Sequence, residues 1–340
     1  MRKLILALAT LAIASAAIPA SAKTVTLKIA TAAPETSSWV AGMRESAAEI
    51  KERTEGRVVI KYYTGGVQGS DDQVRKKIKV GILDGGAFTP SALNEEYPDI
   101  NLYSLPLVFR STEEADFVRN LMDQKLLDGL ADKGYVSFGF AHTGFAMVMS
   151  NAPVKGADDL KGKKVWVPEG DKVSYDSMKA LGVSPQPLPL TDVMIGLQTK
   201  LIDIAPVSPL GALFLQWYTR IKYVTDMPLV YTFGFTVIDE KKFKKIDPAD
   251  QAIVRDVMTK VYDEFNKAAI DDNAGALDAI LNKGVELVAV SGEEMSRIRA
   301  TMSESNRGLV NEGVVSEELY DELLTHVRAY RDDHVAIATD

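Results

Sequence analysis

The side chains that offer chemistry in this chain are aromatic, not catalytic. Trp39, Phe88, Phe145, Tyr175, Trp217, Tyr231 and Phe233 are distributed between apparent secondary elements. Rings of this kind stack on a planar solute or box a cation against their negative faces. Trp39 follows Thr36-Ser37-Ser38 directly after the first strand pattern, where a doubly wound sheet places its ligand. For each ring singly, core packing is the competing reading. Catalytic parts are missing. No G-x-S-x-G elbow occurs, and Gly85-Gly86 lacks the Lys-Ser/Thr of a phosphate loop, while Gly65-Gly66 fits a turn. The chain has no cysteine, and its histidines are His142, His326 and His334. On one helix the last two would stand about 80° apart around the axis. The expectation is a binding protein with no metal and no cofactor, not an enzyme.

The N-terminus reads as an export signal. Arg2 and Lys3 precede an apolar run from Leu4 to Ile18, and Ala20-Ser21-Ala22 supplies small residues for cleavage before Lys23. The run is short for a membrane span, and no later stretch reaches the roughly 18 apolar residues a spanning helix needs. A soluble periplasmic chain of roughly 318 residues is expected, large enough for two lobes. Loss of Arg2 and Lys3 with residues 1–22 takes the net charge from −8 to −10. Nucleic acid, which needs clustered Lys and Arg, is not an expected partner.

Strand and helix patterns alternate along the chain. Val25, Leu27 and Ile29 alternate with polar residues, and Val40, Met43, Ala47 and Ile50 then fall at helical spacing before Gly56. Arg57–Tyr63 reads as a second strand, Asp71-Asp72 opens a helix closed by Gly81, and a third strand is expected at Ile82-Leu83. Such a series builds a mostly parallel sheet with helices on both faces. Ser111 with Glu114 and Ser291 with Glu294 have capping-box spacing. Further on, Tyr135–Ala141 and Lys164–Val167 read as strands. Helices are expected over 172–181, 191–199 and 210–223. Asp247-Pro248 starts a pattern running to about Asn282, long enough to cross both lobes. The last helix carries Leu319, Leu323, Val327 and Tyr330 on its apolar stripe.

Five segments carry a family resemblance. They are GGVQGSDDQVRKKIKVGILDGG (65–86), LYSLPLVFRSTEEADFV (102–118), DLKGKKVWVP (159–168), ALGVSPQPLPLTDVMIGLQTKLID (180–203) and WYTRIKYVT (217–225). In this order and separation they resemble the DctP-type substrate-binding subunit of a tripartite ATP-independent periplasmic (TRAP) transporter, from Lys23 to about Asp340. The resemblance implies an α/β, two-lobed periplasmic binding protein fold of type II-like form. Each lobe would be a sheet flanked by helices, with a long helix spanning both. It implies residues 23–143 plus about 233–272 in one lobe. The other would hold 144–232 plus about 273–340, with the C-terminal helices. It also implies a small-molecule solute and two membrane permease subunits as partners, with transport driven by an ion gradient and the receptor acting as a monomer.

The departures from the family pattern fall on ligand positions. Trp166 stands where acid-binding members carry the arginine of "KxRVP", and Ala146 stands where a second arginine is common after Gly144-Phe145. Val207, next to Ser208, occupies the place of a frequent asparagine, and Thr89 that of an acidic or polar pocket residue. A buried carboxylate without a cationic or multi-donor partner costs several kcal/mol. The expected ligand set is therefore Trp39, Thr89, Phe145, Ala146, Trp166, Val207, Ser208 and Tyr231, around a neutral, cationic, aromatic or lipid-like solute. Two alternatives stand beside it: Trp166 as core, with a displaced basic residue holding an ordinary acid, and a ligand-sensing module.

Overall fold

The computed structural model describes residues 24–337. The export signal read from residues 1–22 lies outside the described residues. Strands β1 (Val25–Thr31), β2 (Val58–Tyr63) and β3 (Gly85–Phe88) run parallel in the order β2-β1-β3. Their crossovers are helices α1 (Ser38–Arg53) and α2 (Asp71–Lys79). Helix α1 starts where Ser37 Oγ accepts the Val40 N–H, and it buries Val40, Met43 and Ile50. Helix α2 starts at a reciprocal capping box, Ser70 with Gln73, just ahead of Asp71-Asp72. The third strand forms later than Ile82-Leu83, and Ile82 is exposed. The reason is steric: a Cβ on Gly85 would lie 2.4 Å from the Val237 carbonyl oxygen, so glycine is what lets β3 pair there.

Helix α3 (Thr112–Asp132) leads to β4 (Tyr135–Val136) and β5 (Ala141–Ser150). The strand expected over 135–141 is thus divided, because Ser137 turns its hydroxyl to the Thr236 carbonyl while the backbone between β4 and β5 leaves the ladder. The second parallel set is β7-β6-β8, from β6 (Lys164–Pro168), β7 (Ser184–Leu188) and β8 (Ile204–Val207), with crossovers α4 (Lys172–Ala180) and α5 (Val193–Gln198). Residues 210–223 do not form one helix. Helix α6 (Pro209–Phe214) ends before Gln216, whose φ of 58° is left-handed, and a short 3-10 turn covers Trp217–Arg220.

The 17-residue strand β9 (Tyr223–Asp239) joins the two sets in the order β2-β1-β3-β9-β5-β8-β6-β7. Its C-terminal half pairs with β3 and its N-terminal half with β5, both antiparallel. Helix α7 (Glu240–Phe243) then leads to α8 (Pro248–Leu281), whose 34 residues extend about 51 Å at 1.5 Å per residue. Asp247 caps it through the Ala249 N–H. Early in α8, Val254, Val257, Met258 and Tyr262 pack in one core with Leu27, Ile29 and Met43. Near its end Ile280 packs with Met147, Met149 and Val224 in another. Strand β10 (Glu286–Val288) and helices α9 (Gly292–Asn311) and α10 (Glu317–Ile337) complete the chain. The fold is a mixed α/β sheet flanked by helices. The two sheets share β9, so no single linker separates them.

The two expected capping boxes are half formed. Ser111 and Ser291 each accept the N–H three residues on, as required. The carboxylates go elsewhere: Glu114 to the Arg110 N–H and Arg331, Glu294 to the Ala157 N–H and Arg297.

Candidate solute-binding cavity

A cavity of about 750 Å³ opens beyond the carboxyl ends of β1, β3, β6 and β8, where Thr31, Phe88, Pro168 and Val207 line it. Strand ends of this kind are where an α/β sheet takes its ligand. Phe233, Phe235, Leu229 and Phe214 supply an apolar wall, and α8 contributes Phe265 and Asp272.

Six of the eight residues expected at the ligand line this space: Trp39, Thr89, Ala146, Trp166, Val207 and Ser208. Trp39 stacks on Phe265 with centroids 6.2 Å apart. Ser208 is buried and caps α6 through the Gly211 N–H. Trp166 both lines the cavity and packs: it is 7% exposed, its Nε1–H donates to the Leu188 carbonyl at 3.0 Å, and its ring meets Trp217 edge-on. Phe145 and Tyr231 do not reach the cavity. They pack against each other behind it, because the Tyr231 hydroxyl is drawn to buried Arg119 at 2.9 Å. Among the other rings, Phe88 and Phe233 line the space, whereas Trp217 and Tyr175 do not.

The polar lining was not legible residue by residue. Among the described residues six carboxyl side chains line the cavity, Asp71, Asp72, Glu95, Glu169, Asp171 and Asp272, against two basic ones, Arg75 and Lys76. Both bases are ion-paired, although the Arg75 Nε–H is buried without a partner. Arg75 Nη2 lies 2.7 Å from Asp72 and Nη1 2.7 Å from Glu95, and Lys76 Nζ lies 2.6 Å from Asp72. Arg119 is no substitute, since Asp123, the Phe140 carbonyl and Tyr231 hold it in the core. Enclosure by the cavity walls pushes the Asp71 carboxyl up to about 7, against the opposing pull of hydrogen bonds from Thr89. Asp171, the α4 cap, is likewise raised by burial while it accepts from the Ser174 N–H at 3.0 Å and hydroxyl at 2.6 Å.

His142 also lines the cavity, a position that no sequence spacing signals. Its Nε2 sits 3.2 Å from the Asn266 carbonyl, and its Nδ1 is buried without a partner. Burial, and then the Arg119 charge, push its pKa down to about 4, so the ring is neutral at pH 7 with Nε2–H as donor and Nδ1 as acceptor. With six carboxyl groups against two bases, this lining carries more acidic than basic side chains.

Comparison with known proteins agrees with this architecture. The chain is 26% identical over 287 residues to the C4-dicarboxylate-binding periplasmic protein DctP of Rhodobacter capsulatus, covering 82% of this chain and 84% of that one. A TRAP periplasmic solute-binding protein from Ochrobactrum anthropi, solved with its C-terminus bound in the ligand-binding pocket, superposes with a TM-score of 0.78 at 25% identity, covering 92% of this chain and 97% of that one. The sugar acid binding protein DctPAm of Advenella mimigardefordensis, solved with galactonate, has the same fold at a TM-score of 0.84 and 21% identity, over 90% of this chain and 99% of that one. The model of the bacterial extracellular solute-binding protein family 7, DctP, matches residues 29–312, and the chain belongs to that family.

Proposed function

We propose that this protein is the periplasmic receptor of a TRAP transport system whose solute is neutral or cationic, rich in hydrogen-bond donors, and not clasped by arginine. The observation carrying this reading is Trp166, an indole tied to the Leu188 carbonyl where acid-binding relatives place a guanidinium fork. Arg75, the remaining lining arginine among the described residues, is already engaged by Asp72 and Glu95. An incoming carboxylate would meet Asp71, Asp171 and Asp272 and no cation that is not already ion-paired, since Arg75 offers it a buried Nε–H but is neutralised by Asp72 and Glu95, at a cost of several kcal/mol. A solute ammonium or hydroxyl group meets acceptors instead, and Trp39 offers it a ring face.

Delivery follows from closure. The lobes, 23–143 plus about 233–272 and 144–232 plus about 273–340, rotate about β5 and β9, where the ladder shifts register between His142 and Gly144. Solute contacts made from both sides favour the closed form, and the membrane subunits read that shift. Calorimetric titration tests the solute class. Succinate and galactonate give no heat of binding, whereas members of a panel of amines, polyols and neutral aromatics bind. Micromolar binding of succinate, unchanged in Trp166→Ala, contradicts the reading.

A further inference from the structure

We propose that Arg110, Arg299 and Arg331 form a site for a doubly charged phosphate-type oxyanion, separate from the solute cavity, which none of them lines. Arg110 precedes Ser111, the cap of α3, and is exposed, Arg299 lies on α9, and Arg331 lies on α10. One carboxylate stands among them. Buried Glu114 accepts from Arg331 Nε with Oε1 at 2.5 Å and from the Arg110 backbone N–H with Oε2 at 2.5 Å, so each oxygen already has a donor. Arg331 Nη2 is occupied by the Val108 carbonyl at 2.8 Å.

Arg299 has no such outlet. Its Nε is buried without a partner, and it makes no ion pair among the described residues. Arg299 and Asn306 are seven residues apart and share one face of α9. Asn306 Nδ2 donates to the Pro106 carbonyl at 3.0 Å, so that face looks onto the segment leading to Arg110. Burial, and then the charges of Arg110 and Arg331, disfavour the charged form of Arg299, which is the signature of like charges held together.

Glu114 is bonded to one of the three guanidinium groups, that of Arg331, and among the described residues no ion pair engages Arg110 or Arg299, which leaves a surplus of two positive charges. A phosphate carries about −1.5 to −2 at pH 7 and offers oxygens in the geometry a guanidinium fork prefers. In a chain of net charge −8 such a surplus is out of character for the surface. The oxyanion arrives either free, as phosphate or a phosphate monoester, or as a lipid headgroup at the membrane where a TRAP receptor works.

The test follows the arginine Nε–H resonances of the full mature chain by NMR as inorganic phosphate is added at constant ionic strength, with chloride as control. Parallel arms use vesicles of phosphatidylcholine with and without phosphatidic acid. Saturable shifts at Arg110, Arg299 and Arg331 are expected, with phosphate binding about tenfold weaker in Arg299→Gln and changed by no more than about twofold in Arg220→Gln, an exposed arginine outside the cluster. Phosphate also raises the melting temperature of the native chain but not that of Arg299→Gln, a difference a purely structural arginine would not produce. Should that variant fail to fold, Arg110→Gln replaces it. Response to vesicles containing phosphatidic acid identifies the headgroup as the source, and response to phosphate alone identifies the free anion. Absence of a saturable shift in every arm, or equal weakening by Arg220→Gln, overturns the proposal.

Discussion

Trp166 and Trp217 meet edge to face, ring centroids 5.2 Å apart and planes at 86°, with the Trp166 Nε1–H held by the Leu188 carbonyl. One indole thus closes the cavity on one side and locks β6 to the 3-10 turn on the other. Val193, Leu197 and Ala205 fill the space around the pair. Trp166→Ala removes a large buried ring and leaves a cavity, and it is expected to cost about 3–5 kcal/mol in denaturant unfolding. A loss below about 1 kcal/mol would show that the ring is not packed as described.

Gly144 sits at the register shift of β5 with φ of +85°, and a Cβ there would come 2.7 Å from the Asn273 amide on α8. Gly144→Ala meets a backbone conformation that favours glycine and a neighbour that also holds the Leu210 N–H. The expected loss is about 1–3 kcal/mol in thermal or denaturant unfolding, with weaker solute binding because the hinge is distorted. Unchanged stability and affinity would remove Gly144 from the hinge.

The Asp71 carboxyl titrates near 7 in the folded chain, against about 3.9 when unfolded. Its folded state holds the proton more tightly, so this group favours folding below about pH 4, and its contribution is lost as pH rises through about 7. Asp71→Asn should flatten the fall in stability between those limits, measured by unfolding midpoints at several pH values. Ionised Asp71 attracts a cation, so affinity for a cationic solute should rise from about pH 5 to pH 8 in the native chain and not in Asp71→Asn. The opposite slope would deny Asp71 contact with the solute.

Tyr231→Phe separates support from contact. The hydroxyl bonds to Arg119 and the ring lies behind the cavity wall, so its removal leaves Arg119 Nη1 only the longer contact to Asn266 at 3.4 Å and the ion pair to Asp116 at 3.6 Å, at a cost of about 1–3 kcal/mol. Solute affinity should stay within about twofold. A large affinity loss without destabilisation would put Tyr231 in the binding site after all.

Local rules made much of the framework readable. Asp247 caps its helix through a side-chain oxygen two residues from the N–H it serves, and Val40, Met43 and Ile50 recur on one buried face. The third strand was misplaced because Gly85-Gly86 has no apolar periodicity, and only contact with Val237, far along the chain, explains it. The cavity rings at Trp39 and Trp166 could be read from their position behind or within a strand. The acidic lining could not. Asp71 and Asp171 look like ordinary helix-start residues, and their approach to one cavity depends on how β9 joins the two parallel sets. The place of Tyr231 behind the cavity wall could not be read from the sequence, because its partner Arg119 lies 112 residues away.

The most direct test is a native mass spectrum of the protein purified from its host without refolding, with the released solute identified. A neutral or cationic molecule bearing ammonium, amide or hydroxyl donors is the predicted result. A dicarboxylate or sugar acid, released from a complex in which an arginine grips its carboxylate, would contradict it.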